Sequence, residues 1–241
     1  MTDINKLEFN PLQDEHSKLE LLFTMPNYGT HHTYANSDIM SALDTMPVMA
    51  ARVSIGGGLK TYQQDVKLLK YLWDNQHSSP FESVQLQFYV KCPIFVARQW
   101  MRHRTWSYNE LSLRYTELDS KQYYIPNQFR MQSKTNMQGT GQNMPEHLQN
   151  ACKRLTISSS DSSYANYQEL LGMGVEKGLA RLILPVNFYT EFIGSVNLNN
   201  LLKFLSLRAD EHAQFEIRQY AYAIEEILAF VCPEIYMLYK S

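Results

Sequence analysis

The chain has little cysteine: three residues in 241, Cys92, Cys152 and Cys232, each far from the others. An odd, scattered set excludes a disulfide framework and lacks the paired spacing of a zinc site. Cys92 and Cys232 each precede a proline beside apolar residues and read as buried structural thiols. No apolar run reaches the length of a membrane span. Met1 to Leu12 mixes charge with polarity and lacks a signal-peptide apolar core, so a cytoplasmic location is expected. No internal repeat is present. Gly56-Gly57-Gly58-Leu59-Lys60-Thr61 fails the Walker pattern, because Leu59 separates the last glycine from Lys60, and it reads as a turn. There is no Gly-x-Ser-x-Gly elbow. Nor is there a surplus of positive charge: 22 Lys and Arg stand against 24 Asp and Glu, for a net charge of -2. That balance argues against a nucleic acid partner.

What is present fits one globular domain over residues 1–241, with 44% apolar and 19% charged residues. Ser37 to Ala51 reads as a helix interrupted at Pro47. Thr61, with Gln64 three residues on, caps a second helix whose stripe is Val66, Leu69, Leu72 and Trp73. His77 to Glu82 reads as a loop. Val84 to Lys91 alternates, with Val84, Leu86, Phe88 and Val90 on one face, and predicts a half-buried strand. Pro93 starts a helix running to about Arg102. Gln128 to Asn143 is polar and predicts a long mobile loop. Helices are expected from Glu146 and again at Tyr164 to Leu171, and strand structure over Ile183 to Val196. Asn197 to Leu207 and Ala213 to Val231 close the chain as helices. Interleaved strands and more abundant helices make a mixed α+β domain.

The basic charge is concentrated. Lys91 to Tyr115 holds Lys91, Arg98, Arg102, Arg104 and Arg114 against the single acid Glu110, a local balance of +4 in a mildly acidic chain. That pattern suits a small anionic ligand. Trp100, Met101 and Trp106 surround Arg102-His103-Arg104, so the triplet is expected to be partly buried and to need an anionic partner, such as a phosphate held in bidentate fashion. Beyond Asn109 an extended chain would turn Glu110, Ser112 and Arg114 one way, as a polar shelf. Ser112 as a nucleophile lacks a neighbouring base and reads better as a hydrogen-bonding group. A metal site from Asp210, His212 and Glu216 is the weaker reading of an ordinary acidic helix start, and no metal is expected.

Arg102-His103-Arg104, seven residues and then Ser112 resembles the signature of the flavin-dependent thymidylate synthases. His77 to Glu82, Lys91-x-Pro93 to Trp100, Tyr108 to Tyr115, Ala180-Arg181 through Tyr189-Thr190, Asn197, and Leu207 to Gln214 extend the resemblance over about Ser54 to Ala221. It implies an α+β subunit with a central antiparallel-type sheet flanked by helices, in a homotetramer with active sites built from several subunits. It implies methylation of dUMP to dTMP, with methylenetetrahydrofolate as carbon donor and FAD, reduced by NADPH, as hydride carrier. The nucleotide would meet Gln99, Arg102, Glu110, Ser112, Leu113, Arg114, Arg181 and Arg208, with Arg208 favouring ionisation at N3. FAD would meet Ser54, Ser79, Arg102, His103, Arg104, Glu110 and Asn197, with His77 and Glu82 near flavin and folate. Asn199 stands where the family often has arginine, and Lys203 is placed to compensate.

Overall fold

The alternation at Val84 to Lys91 becomes the middle of a sheet. In the computed structural model, which describes residues 7–118, 120–134 and 140–241, the strands are β1 (Glu8–Phe9), β2 (Lys18–Met25), β3 (His31–Thr33), β4 (Ile39–Ser41), β5 (Gln85–Pro93), β6 (Ser107–Glu110), β7 (Arg130–Gln132), β8 (Thr140–Asn143) and β9 (Tyr189–Asn197). The helices are α1 (Ala42–Val53), α2 (Tyr62–Asp74), α3 (Ile94–Trp100), α4 (Glu146–Gly172), α5 (Lys177–Ala180), α6 (Leu198–Arg208), α7 (Phe215–Val231) and α8 (Pro233–Lys240). The main sheet is antiparallel throughout, in the order β1-β2-β5-β9-β6. The expected α+β architecture with a central antiparallel sheet and flanking helices is observed.

Period-two patterning puts Leu86, Phe88, Val90 and Cys92 of β5 and Phe192, Gly194 and Val196 of β9 on the buried face. There they join Leu201, Leu205, Tyr220, Ile224 and Leu228 from α6 and α7 in one core. Cys92 and Cys232 are fully buried in it as free thiols, and burial pushes both thiol pKa values up. Among the described residues no helix is long and apolar enough to cross a membrane.

The Thr61 and Gln64 capping box forms as expected. Gly56 takes φ +67 in the glycine turn. A buried ion pair of Arg52 and Asp65 closes that turn, and Asp65 also accepts from Tyr34 Oη at 3.1 Å and Lys60 N at 3.0 Å.

Several expectations are corrected. Ser37 to Ala51 is not one helix: Ile39–Ser41 is strand, and α1 runs on through Pro47. Full burial of Leu43 and Val48 on either side offsets the missing proline donor. His77 to Glu82 includes a 3-10 turn, Ser79–Ser83. Helix α3 stops at Trp100, short of Arg102. The loop expected at Gln128 to Asn143 carries β7 and β8, which pair with each other. Gln149 clamps their base, accepting from Phe129 N at 2.8 Å and donating to Phe129 O at 2.9 Å and Met144 O at 3.0 Å; residues 135–139 of that stretch lie outside the described residues. The two helices expected after Glu146 are one, α4, whose weak serine run is held by Ser160 to Asn187 at 3.0 Å and Tyr123 to Asp161 at 2.9 Å. Strand β9 begins only at Tyr189, because Pro185 lacks a donor and its carbonyl turns the chain by accepting from Phe188 N.

Gly194 is required by a close approach: a Cβ there would sit 3.1 Å from Trp106 Cε3 and 3.3 Å from Phe192 Cε2. Trp106 cannot give way, packed as it is on Trp100, Phe88 and Tyr108. Gly194→Ala should therefore lower stability by about 1–3 kcal/mol in urea unfolding. An unchanged midpoint would show that the indole moves freely.

Candidate functional site

The site starts where α3 ends. Trp100 is fully buried, stacked on Phe204 at 4.9 Å and edge-on to Trp106, Phe192 and Tyr220. Its carbonyl accepts from His103 N at 2.9 Å, and the single Tyr108 hydroxyl proton is shared between Trp100 O and His103 O, each 3.0 Å from Oη. These bonds close the turn carrying Arg102-His103-Arg104. Arg102 and Arg104 are exposed, contrary to the expected partial burial. Exposed in this way, their guanidinium groups keep their hydration.

His103 alone turns inward, against the Phe204 ring at 4.8 Å. Its Nε2 accepts from Arg208 Nε at 2.9 Å, and Arg208 Nη2 donates to Gln99 O at 3.2 Å. Burial and the neighbouring Arg208 cation push the His103 pKa down to about 4. The ring is neutral at physiological pH and carries its proton on Nδ1. Arg208 spends two of its five N–H donors here and keeps three for a ligand.

Behind this pair lies a network only partly anticipated. Gln99 Nε2 donates to Gln214 Oε1, Gln214 Nε2 donates to Glu216 Oε2 at 2.9 Å, and Glu216 Oε1 accepts from Tyr124 Oη at 3.3 Å. Arg130 Nη1 lies 3.6 Å from the same oxygen, over the Phe215 ring. Glu216 therefore does not join Asp210 and His212, which pair with each other at 2.8 Å. The sequence signal for this role was an acid between Phe215 and Ile217 on an otherwise apolar stripe. Tyr124 and Arg130 carried no signal at all.

The polar shelf is shorter than the extended reading predicted. Strand β6 ends at Glu110, whose Oε1 accepts from Thr190 Oγ1 at 2.7 Å. Ser112 O then accepts from Tyr115 N at 3.0 Å and Thr116 N at 3.1 Å, so Ser112 to Arg114 lie in a turn and the alternation stops. Leu113 anchors that turn in a second apolar cluster with Leu118, Tyr167 and Phe188. The Arg114 stem lies near Gly178, whose carbonyl accepts from Arg181 Nε at 3.3 Å, so the turn brings Arg114 and Arg181 to one place.

A third group surrounds a cavity of 670 Å³ lined by residues including His77, Trp73, Asn199 and Lys203. Asn199 Nδ2 donates to Glu82 Oε1 at 3.3 Å. Asn197 Oδ1 is spent as the cap of α6, accepting from Asn200 N at 2.9 Å, and only its amide nitrogen is left for a ligand. Ser79 opens the 3-10 turn and Ser54 follows α1, both exposed. On β9, Asn197 pairs with Gln85 while Phe192, five residues away, pairs with Glu110. At strand rise that is about 17 Å. The residues expected to meet one cofactor thus lie at separate places on one chain.

Charge unites the groups. Among the described residues, Arg102, Arg104, Arg114, Arg181, Lys203 and Arg208 form no ion pair with a protein acid.

Comparison with known proteins places the whole chain. The family model described as thymidylate synthase complementing protein matches residues 38–234. The flavin-dependent thymidylate synthase of Thermosipho africanus is 47% identical over 190 residues, covering 79% of this chain and 83% of its own. That of Thermus thermophilus is 47% identical over 185 residues, covering 77% and 67%. A UMP/dUMP methylase from Streptomyces cacaoi, bound with 5-Br dUMP, superposes with a TM-score of 0.78 at 31% identity, over 92% of this chain and 94% of its own. This chain belongs to the family of flavin-dependent thymidylate synthases.

Proposed function

We propose that this chain methylates dUMP at C5 to give dTMP, taking the carbon from methylenetetrahydrofolate and using FAD reduced by NADPH. The observation that carries the reading is the set of arginines without acidic partners. Such side chains are placed to neutralise phosphates, and dUMP, FAD and NADPH all bring them. The donor set fits FAD: Arg102 and Arg104 are exposed cations beside the neutral His103 ring, and Lys203 lines a cavity with His77 and Asn199. Bound there, the flavin supplies the hydride chemistry that no side chain of this protein can. The spread of these residues over separate regions supports a homotetramer in which several subunits complete each site, in the cytoplasm.

Arg114 and Arg181 meet the nucleotide phosphate, with Ser112 and Leu113 forming the turn that presents Arg114. Glu110, fixed by Thr190, accepts from ligand donors. Ser112 is a positioning group. Ser54, Ser79, Glu82, Asn197 and Asn199 hold the flavin's polar edge. Arg208 takes the central part. Neutral His103 and the Gln99 carbonyl hold its guanidinium without cancelling its charge. Set beside the uracil, that charge favours the N3 anion and so a more nucleophilic C5. With that activation, no cysteine nucleophile is needed.

The purified protein should be yellow and should oxidise NADPH in a dUMP-dependent way; a colourless protein that takes up neither FAD nor dUMP contradicts the reading. Arg208→Ala should lose roughly 100-fold or more in turnover while its flavin absorbance stays near that of the parent. Normal turnover would remove Arg208 from the chemistry.

The depressed His103 pKa sets a pH window. Between about 6.5 and about 4 the unfolded chain binds the proton and the folded ring does not. Stability from this group is full above that window and is lost as pH falls through it. The melting temperature of the parent should therefore fall more steeply from pH 6.5 to 4 than that of His103→Asn. Parallel curves would show that His103 titrates normally.

A further inference from the structure

The relay behind Gln99 has a direction, and a buried carboxylate sets it. Glu216 is buried and, beside the Arg130 cation, offers only acceptors. Tyr124 and Arg130 occupy its Oε1. Burial and the carboxylate push the Tyr124 phenol pKa up, so the hydroxyl stays a donor. The Gln214 atom facing Oε2 must then be its nitrogen, which leaves Gln214 Oε1 for Gln99. Gln99 must answer with its own nitrogen. Its Oε1 is left over, and no described residue donates to it.

We propose that Gln214 and Glu216 are positioning residues that lock the Gln99 amide with its oxygen toward the nucleotide, so that Gln99 accepts from a donor group of dUMP. The proposal rests on the nucleotide reading above. Without the lock, an amide presents either end at nearly equal cost. With it, the site discriminates by an unpaired donor or acceptor against any ligand group of the wrong polarity.

Glu216→Gln tests the direction without changing shape. The new amide meets Tyr124 and Arg130 with its oxygen, because both donate, and so presents its nitrogen to Gln214. Gln214 turns over, Gln99 turns over after it, and a donor now faces the nucleotide donor. Binding of dUMP to the FAD-loaded protein, measured by calorimetry, should weaken roughly ten- to a hundredfold. Gln99→Glu alone should also weaken it, since two acceptors then face each other at Gln214. The double variant Glu216→Gln with Gln99→Glu restores an acceptor toward the ligand at unchanged total charge. It should bind dUMP more tightly than either single variant. A merely structural role for Glu216 predicts losses that add, and additive losses overturn the proposal, as does a Glu216→Gln protein that binds like the parent. If Glu216→Gln fails to fold, Gln214→Leu cuts the relay and leaves Glu216 with Tyr124 and Arg130. It should bind dUMP several-fold more weakly than the parent, and unchanged binding by the folded variant overturns the relay. A parent that binds no dUMP at all would instead remove the nucleotide reading on which the relay depends.

Discussion

The burial of Trp100 is the constraint on which the site depends. Its indole is held by Phe204 of α6, Phe192 of β9, Tyr220 of α7 and Trp106. One side chain thus joins the sheet to both core helices at the point where α3 ends. Because the ring is fixed, its carbonyl is fixed, and that carbonyl shapes the turn that follows. The turn sends Arg102 and Arg104 outward and His103 inward. Phe204 lies one helical turn before Arg208 on α6, so the same stack that holds Trp100 also delivers Arg208 to His103.

The fold separates two uses of charge. Where a charge serves stability it is paired: Arg52 with Asp65, Lys240 with Glu225. The charges that the proposed function gives to the ligand are, among the described residues, left without an acidic partner, and their neighbours are neutral. Arg208 has an imidazole and a backbone carbonyl, and Arg181 has the Gly178 carbonyl. A neutral acceptor orients a guanidinium without cancelling its charge. An acid in the same place would compete with the ligand phosphate.

Periodic features were legible in the sequence. The alternation of Val84 to Lys91, the Thr61 and Gln64 box and the closing helix expected over Ala213 to Val231 all appear where local chemistry places them. Arg102-His103-Arg104 stood out through its charge, and the structure brings its histidine to Arg208. What was not legible depended on partners distant in the chain. Whether Arg102 is covered depends on the turn that Tyr108 closes. The register of Ser112 depends on a local turn that ends the strand early. The length of α4 and the pairing of β7 with β8 depend on Asn187, Tyr123 and Gln149, which propensity does not see. Glu216 was visible only as a candidate metal ligand, because its true neighbours, Gln214, Tyr124 and Arg130, come together only in the fold.

The central claim is that these open cations are organised for a nucleotide phosphate around a fixed aromatic turn. Comparing the affinity of the FAD-loaded protein for dUMP with its affinity for deoxyuridine, which lacks only the phosphate, tests it most directly. The account predicts that dUMP binds roughly a hundredfold more tightly. Equal affinities for the two would contradict it.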